Sequence, residues 1–242
     1  MIFALLFAAS EPAKAPGLEE QRFADCVAQV ESDAEAAIRS AENWRLSGGD
    51  LNARLCLGLA YAQLKRWPAA QLAFELAAQD AERKRDGRSA GFWVQAGNAA
   101  LAGGQFRQAR NALDSALSSG LLKGADEGEA HLDRARASAA LGELAPARTD
   151  IDMALKLIPA DPLGWLLSAT LARREGNLVR AGSDIEEAAK RAPDDAAVAL
   201  EAGNIAILNG APEAAKRAWQ AAVKNGAETP AGKAAAEALK QF

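Results

Sequence analysis

The sequence predicts an all-α fold built by stacking antiparallel helical hairpins. Three observations predict it. Half of the 242 residues are apolar, yet the mean hydropathy is only −0.13, because much of that half is Ala, the best helix former. Val, Ile and Thr are sparse, and no alternating apolar–polar run reads as a strand. The stretch Pro162 to Asp195 reads as two amphipathic helices, with Gly176 at the bend and Pro193 at the exit. Finally, the tripeptide Ala96-Gly97-Asn98 recurs as Ala202-Gly203-Asn204, 106 residues on.

Within Pro162 to Asp195, Trp165 stands near the start. Ala181, Ile185 and Ala188 follow the bend at spacings of four and three. This pattern resembles the tetratricopeptide repeat, with its early Trp, bend Gly, Ala-x3-aromatic step and closing Pro. The resemblance implies an α-α superhelix, a right-handed tetratricopeptide solenoid with N- and C-terminal capping helices. Small residues such as Ala181 and Ala188 let neighbouring backbones approach, and Ile185 fills the space between. One hairpin cannot bury its own apolar face, so copies must stack.

The elements follow in order. Residues 1–17 combine an apolar segment, Met1 to Ser10, with a Pro-containing spacer. The apolar part is far shorter than the roughly 20 residues that span a bilayer. It reads as the h-region of a secretory signal, with Ala8-Ala9-Ser10 as cleavage triplet but no basic n-region. The alternative is an apolar tail. Residues 18–50 read as a degenerate hairpin, with Phe23, Cys26, Val27 and Val30 on one helical face. Ala34, Ala37, Ile38, Ala41 and Trp44 form another. Counting by the family period of about 34 residues places repeats at 51–84, 90–123, 128–161, 162–195 and 196–229. The two Ala-Gly-Asn tripeptides then sit three periods apart, plus the four residues 124–127. Residues 230–242 read as a terminal capping helix, needed because an open solenoid end exposes apolar surface.

Composition narrows the chemistry. A net charge of −4 argues for plain solubility and against a nucleic-acid partner. The short basic cluster Arg83-Lys84-Arg85, with Arg88, suits a helix C-terminus. The chain has one His and two Cys, too few for a closed zinc site. His131 occupies the slot of Trp93 and Trp165, where packing is the expected role. Ser138, Ser168 and Ser183 sit in repeat slots without a nucleophile elbow, and no glycine loop is arranged to cradle phosphate. Neither catalytic residues nor a metal or cofactor are expected.

The resemblance points instead to the concave face, which the first helix of each hairpin lines. Carried over position by position, it implies a groove containing Asn52, Leu59, Gln95, Asn98, Asp133, Arg136, Leu166, Thr170, Arg173, Glu201 and Asn204. Leu167 and Arg174 fall on the same face. Apolar pads alternate with amides and charges. An amide such as Asn98 can donate to and accept from an extended peptide, or Asn98 and Asn204 can cap local carbonyls or face water. Leu55 and Leu59 stand where the family's C-terminal carboxylate clamp needs Lys and Asn, so that clamp is absent.

Cys26 and Cys56 admit two readings. First helices of successive hairpins lie side by side in this family, which allows a disulfide in an oxidising compartment. The other reading is two small buried apolar residues. The resemblance implies a non-enzymatic interaction scaffold that takes a protein or peptide in its groove, and the signal-like start places it in the bacterial cell envelope. A periplasmic or secreted location is expected, with a cytoplasmic one as the alternative, and no membrane span. The competing roles are a structural subunit or homo-oligomer of an envelope assembly, or an accessory regulator of an envelope hydrolase.

Overall fold

The computed structural model describes residues 17–241. The signal-like segment, its cleavage triplet and Phe242 at the end of the expected cap lie outside them. Thirteen helices and no strand fill the described residues. They pair as α1 Leu18–Ser32 with α2 Ala34–Leu46, α3 Asp50–Gln63 with α4 Trp67–Arg83, and α5 Ser89–Ala102 with α6 Phe106–Ser118. Then come α7 Ala125–Ala140 with α8 Leu144–Leu157, α9 Pro162–Arg174 with α10 Leu178–Arg191, and α11 Ala196–Leu208 with α12 Pro212–Gly226. A single helix, α13 Pro230–Leu239, closes the C-terminal end against α12 and α11.

Local chemistry sets many of the boundaries. A lone residue, Asp33, separates α1 from α2, and its carboxylate accepts from the Ala36 N–H at 2.9 Å. Asp161, Asn177, Asp195 and Thr229 cap α9, α10, α11 and α13 in the same way. Each satisfies a backbone donor that the first helical turn leaves orphaned. The bends inside the hairpins require left-handed backbone. Gly104, Gly142, Gly176 and Gly210 supply it with φ between 70 and 81°. In the α3–α4 bend the same conformation, φ 56°, falls on Lys65.

Within each hairpin the two helices meet through paired sizes. Gly58 faces the ring of Phe74, Gly97 faces Leu113, and Gly203 faces the indole of Trp219. A Cβ at Gly97 would stand 2.6 Å from Leu113 Cγ. In the fourth and fifth hairpins Ala135 pairs with Ile151 and Ala169 with Ile185. A larger residue on the second helix thus goes with a smaller one on the first, which keeps interior packing dense. The core is accordingly a run of local clusters along the stack rather than one centre. Ala181, in one of them, is fully buried.

Two polar networks run through this Ala-rich interior. Asp150 accepts from Arg134 Nε at 2.8 Å and pairs with His131 Nδ1 at 2.7 Å, while Arg134 also reaches Asp114. One hairpin further on, the fully buried Ser168 donates to Asp184 at 2.5 Å and accepts from Arg148 at 2.7 Å. Arg180 joins Asp184 to Asp152. The two buried carboxylates, Asp150 and Asp184, each have partners, the condition under which burial is tolerated. Burial pushes the Asp150 carboxyl up, but the hydrogen bonds from His131 and Arg134 outweigh it and hold it below its ordinary value.

At the N-terminal end Cys26 of α1 and Cys56 of α3 are joined in a disulfide, with Cα atoms 6.2 Å apart. It crosses the contact between the first helices of successive hairpins. Trp44 of α2 is buried beside it.

Candidate functional site

The stack has two unlike sides. First helices adjoin one another, α1 with α3, α5 with α7, α7 with α9 and α9 with α11. Second helices of successive hairpins do not meet to the same extent. The side on which helices draw together is the inner side of the curve, so α3, α5, α7, α9 and α11 line the groove.

From its N-terminal end, the groove begins with Asn52, whose Oδ1 accepts from Arg88 Nη1 at 3.0 Å. Leu59 packs into the local cores beneath it. Gln95 is exposed and lines a cavity of about 380 Å³ with Leu55, Arg88 and Leu121. Asn98 donates its amide to Asp133 on the next first helix. Asp133 pairs with Arg136, one turn on, at 2.8 Å. Burial raises the Asp133 carboxyl above its ordinary value, against the opposing pull of Arg136 and Asn98. The Oδ1 of Asn98 is buried and has no hydrogen-bond partner. An unmet acceptor of this kind is costly and asks for a donor.

Further along, Leu166 packs against the core of its own hairpin. Arg173 donates to Glu201 at 2.6 Å, and Glu201 is buried at 6% exposure. Glu201 also accepts from Asn204 at 3.2 Å, and Asn204 Oδ1 accepts from Trp219 Nε1 at 3.2 Å. The structure brings six of the eleven expected groove residues into two internal ladders, Asn98–Asp133–Arg136 and Arg173–Glu201–Asn204, and leaves Asn52, Leu59, Gln95, Leu166 and Thr170 outside them. The two asparagines are not equivalent. Asn204 is engaged at both ends of its amide, and Asn98 at one.

Between the ladders, α7 and α9 enclose with α8 a cavity of about 250 Å³. Its floor is Ala135, Ile151, Leu167 and Leu171, the outer face of a core cluster. Its rim is Arg136, Thr170 and Arg174. Arg174 reaches across from α9 to donate to the Ala139 carbonyl of α7 at 3.2 Å. The residue types of the floor were visible in the sequence as ordinary core positions. What the sequence did not show is the cavity that they floor.

With the geometry in place, residues 94–162 match the model of the tetratricopeptide repeat family. The chain contains tetratricopeptide repeats. Solved structures share the fold of the whole stack. PilW, described as a widely conserved type IV pilus biogenesis factor, superposes with a TM-score of 0.73 at 19% identity, over 91% of this chain and 99% of PilW. The pilF protein of Pseudomonas aeruginosa gives 0.70 at 14% identity, over 89% and 95%. YrrB, a tetratricopeptide protein with an unusual peptide-binding site, gives 0.58 at 16% identity, over 81% and 96%. At these identities the likeness shows the fold. No curated protein matches the sequence. Among the described residues, no helix is long and apolar enough to cross a membrane.

Proposed function

We propose that this tetratricopeptide stack is a non-enzymatic scaffold of the bacterial cell envelope, holding a segment of a protein partner in the groove of its first helices. The observation that carries the reading is the open, apolar-floored cavity between α7 and α9 on the face of the first helices. The groove supplies what an extended chain needs, an apolar recess for a side chain and accessible polar side chains such as Gln95 and Thr170 along it. Its remaining polar groups are largely paired among themselves, so the surface is set in advance of binding, which lowers the ordering cost of association.

The envelope assignment draws on three supports: the apolar segment Met1 to Ser10, the Cys26–Cys56 disulfide, and the likeness to PilW, a type IV pilus biogenesis factor. Disulfides persist in oxidising compartments.

The test is a photo-crosslinking amino acid placed at Gln95 or Thr170 on the groove, with a control at exposed Val179 on α10. The expected result is a discrete partner adduct from the groove positions and none from the control. Equal crosslinking from both faces, or adducts only between copies of this chain, would overturn the scaffold reading.

A further inference from the structure

We infer that the cavity between α7 and α9 is the specificity subsite of the groove, reading an acidic side chain next to an aliphatic one within a partner's extended segment. The inference rests on the groove reading proposed above and adds the chemistry of what is bound.

The apolar half of the argument is size and lining. About 250 Å³ lies below the usual range of small-molecule and cofactor sites, and suits one side chain. Ala135, Ile151, Leu167 and Leu171 offer no hydrogen bond from their side chains, so the recess rewards an aliphatic group and penalises a polar one.

The charged half is the placement of two guanidinium groups. Arg174 leaves α9 and donates to the carbonyl of Ala139 on α7 at 3.2 Å. Arg136 sits on α7 one turn before Ala139, and residues three apart on a helix are neighbours. The two arginines therefore flank one mouth. Arg136 has one acidic partner, Asp133, a turn further back. Arg174 forms no ion pair with a described residue; its Nη2 bonds only that carbonyl. No carboxylate lines the cavity, although the chain as a whole carries a net charge of −4. Two neighbouring cations without a shared anion fit an incoming carboxylate, which guanidinium groups bind through paired N–H donors. The groove continues on both sides, to Asn98 and Asp133 before the cavity and to Arg173 and Glu201 after it. A chain can pass through, so the carboxylate is that of an internal Asp or Glu.

The probe is a set of fluorescein-labelled nonapeptide pools, acetylated and amidated at their ends, with randomised flanks around a fixed central pair. The pairs are Glu-Leu in both orders, Gln-Leu, Glu-Ser and Lys-Leu, titrated by fluorescence polarisation. The Glu-Leu pools should bind about tenfold tighter than the Gln-Leu and Glu-Ser pools. Arg136→Gln with Arg174→Gln should erase the preference for Glu over Gln. Ala139→Leu, which fills the mouth, should erase the preference for Leu over Ser. Circular dichroism and an unchanged melting temperature establish that each variant is folded. Equal binding of all pools would overturn the inference and leave a generic groove. A free-acid pool ending in Leu that outbinds the amidated Glu-Leu pools would overturn it in favour of a terminal carboxylate. If no pool binds while groove crosslinking still captures a partner, this inference fails alone. If both fail, the groove reading falls with it.

Discussion

The indole Nε1 of Trp219 donates to Asn204 Oδ1 at 3.2 Å. At the matching place in the hairpin that carries Asn98 stands Leu113, which has no donor. The same Ala-Gly-Asn tripeptide thus yields a satisfied amide in one hairpin and a buried, unpaired oxygen in the other. Asn204→Ala should therefore lower stability by about 1–3 kcal/mol, because it removes one hydrogen bond from buried Glu201 and one from the Trp219 indole. Asn98→Ala should leave stability within about 0.5 kcal/mol of wild type while weakening partner binding. Paired urea melts and partner titrations separate the two outcomes. A larger stability loss at Asn98 than at Asn204 would contradict the assignment.

Lys65 occupies a left-handed bend, φ 56°, that glycine occupies in the next four hairpins. Left-handed backbone costs a residue with a Cβ about 1 kcal/mol or more, partly offset by the extra freedom glycine has when unfolded. Lys65→Gly should raise the urea midpoint by an amount equivalent to about 0.5–1 kcal/mol. An unchanged or lowered midpoint would show that the Lys side chain has a compensating contact.

Asp150 links stability to pH. Its folded carboxyl lies below its ordinary value. The stability it contributes is thus fully present above the unfolded value of about 3.9 and is lost as pH falls toward the folded one. The groups facing it are His131 and Arg134, with Asp114 on the far side of Arg134. Asp150→Asn should cost about 1–3 kcal/mol at neutral pH. It should also flatten the fall in melting temperature between about pH 5 and about pH 2. Parallel acid profiles for mutant and wild type would remove Asp150 from that role.

The disulfide spans a sequence separation of 30. Cys26→Ser with Cys56→Ser should lower stability by about 2–4 kcal/mol. Thiol titration of denatured protein, isolated from its native compartment without reductant, should find no free thiol. Two free thiols would place the chain in a reducing compartment and undercut the envelope assignment.

Mature protein taken from cells should begin near Ser10. Mass spectrometry of the intact N-terminus decides this, and a retained Met1 in protein from the cytoplasm would rule out export.

The helical stack was legible because its signals are local. Gly176 at a bend, Ala181, Ile185 and Ala188 at helix-contact spacing, and the repeated tripeptide each report backbone and packing needs that recur. The pairing of Gly97 with Leu113 and Gly203 with Trp219 is half visible: the glycines stand out in the sequence, but nothing local ties them to the size of a side chain 16 residues on. The Asp150 and Asp184 networks were not read, although the two acids are 34 positions apart. Their partners arrive from other helices, and a carboxylate in sequence looks like a solvated face. The groove face could be placed by position alone. Which of its side chains pair with one another depends on how the first helices are spaced, and no residue pattern states that distance.

The disulfide gives the molecule a direction. In a stack whose units hold only their neighbours, opening begins at whichever end is least secured. A covalent staple fastens the hairpin α1–α2 to α3, whereas at the other end of the described residues the ten-residue α13 packs on α12 and α11 without a disulfide. Unzipping should therefore start at α13 and travel back toward α3, so that amide hydrogens in α11 and α12 exchange before those in α3 and α4. Under reduction both ends become free and the order is lost. For a protein pulled by a partner seated in its groove, the stapled end is the one that can bear the load.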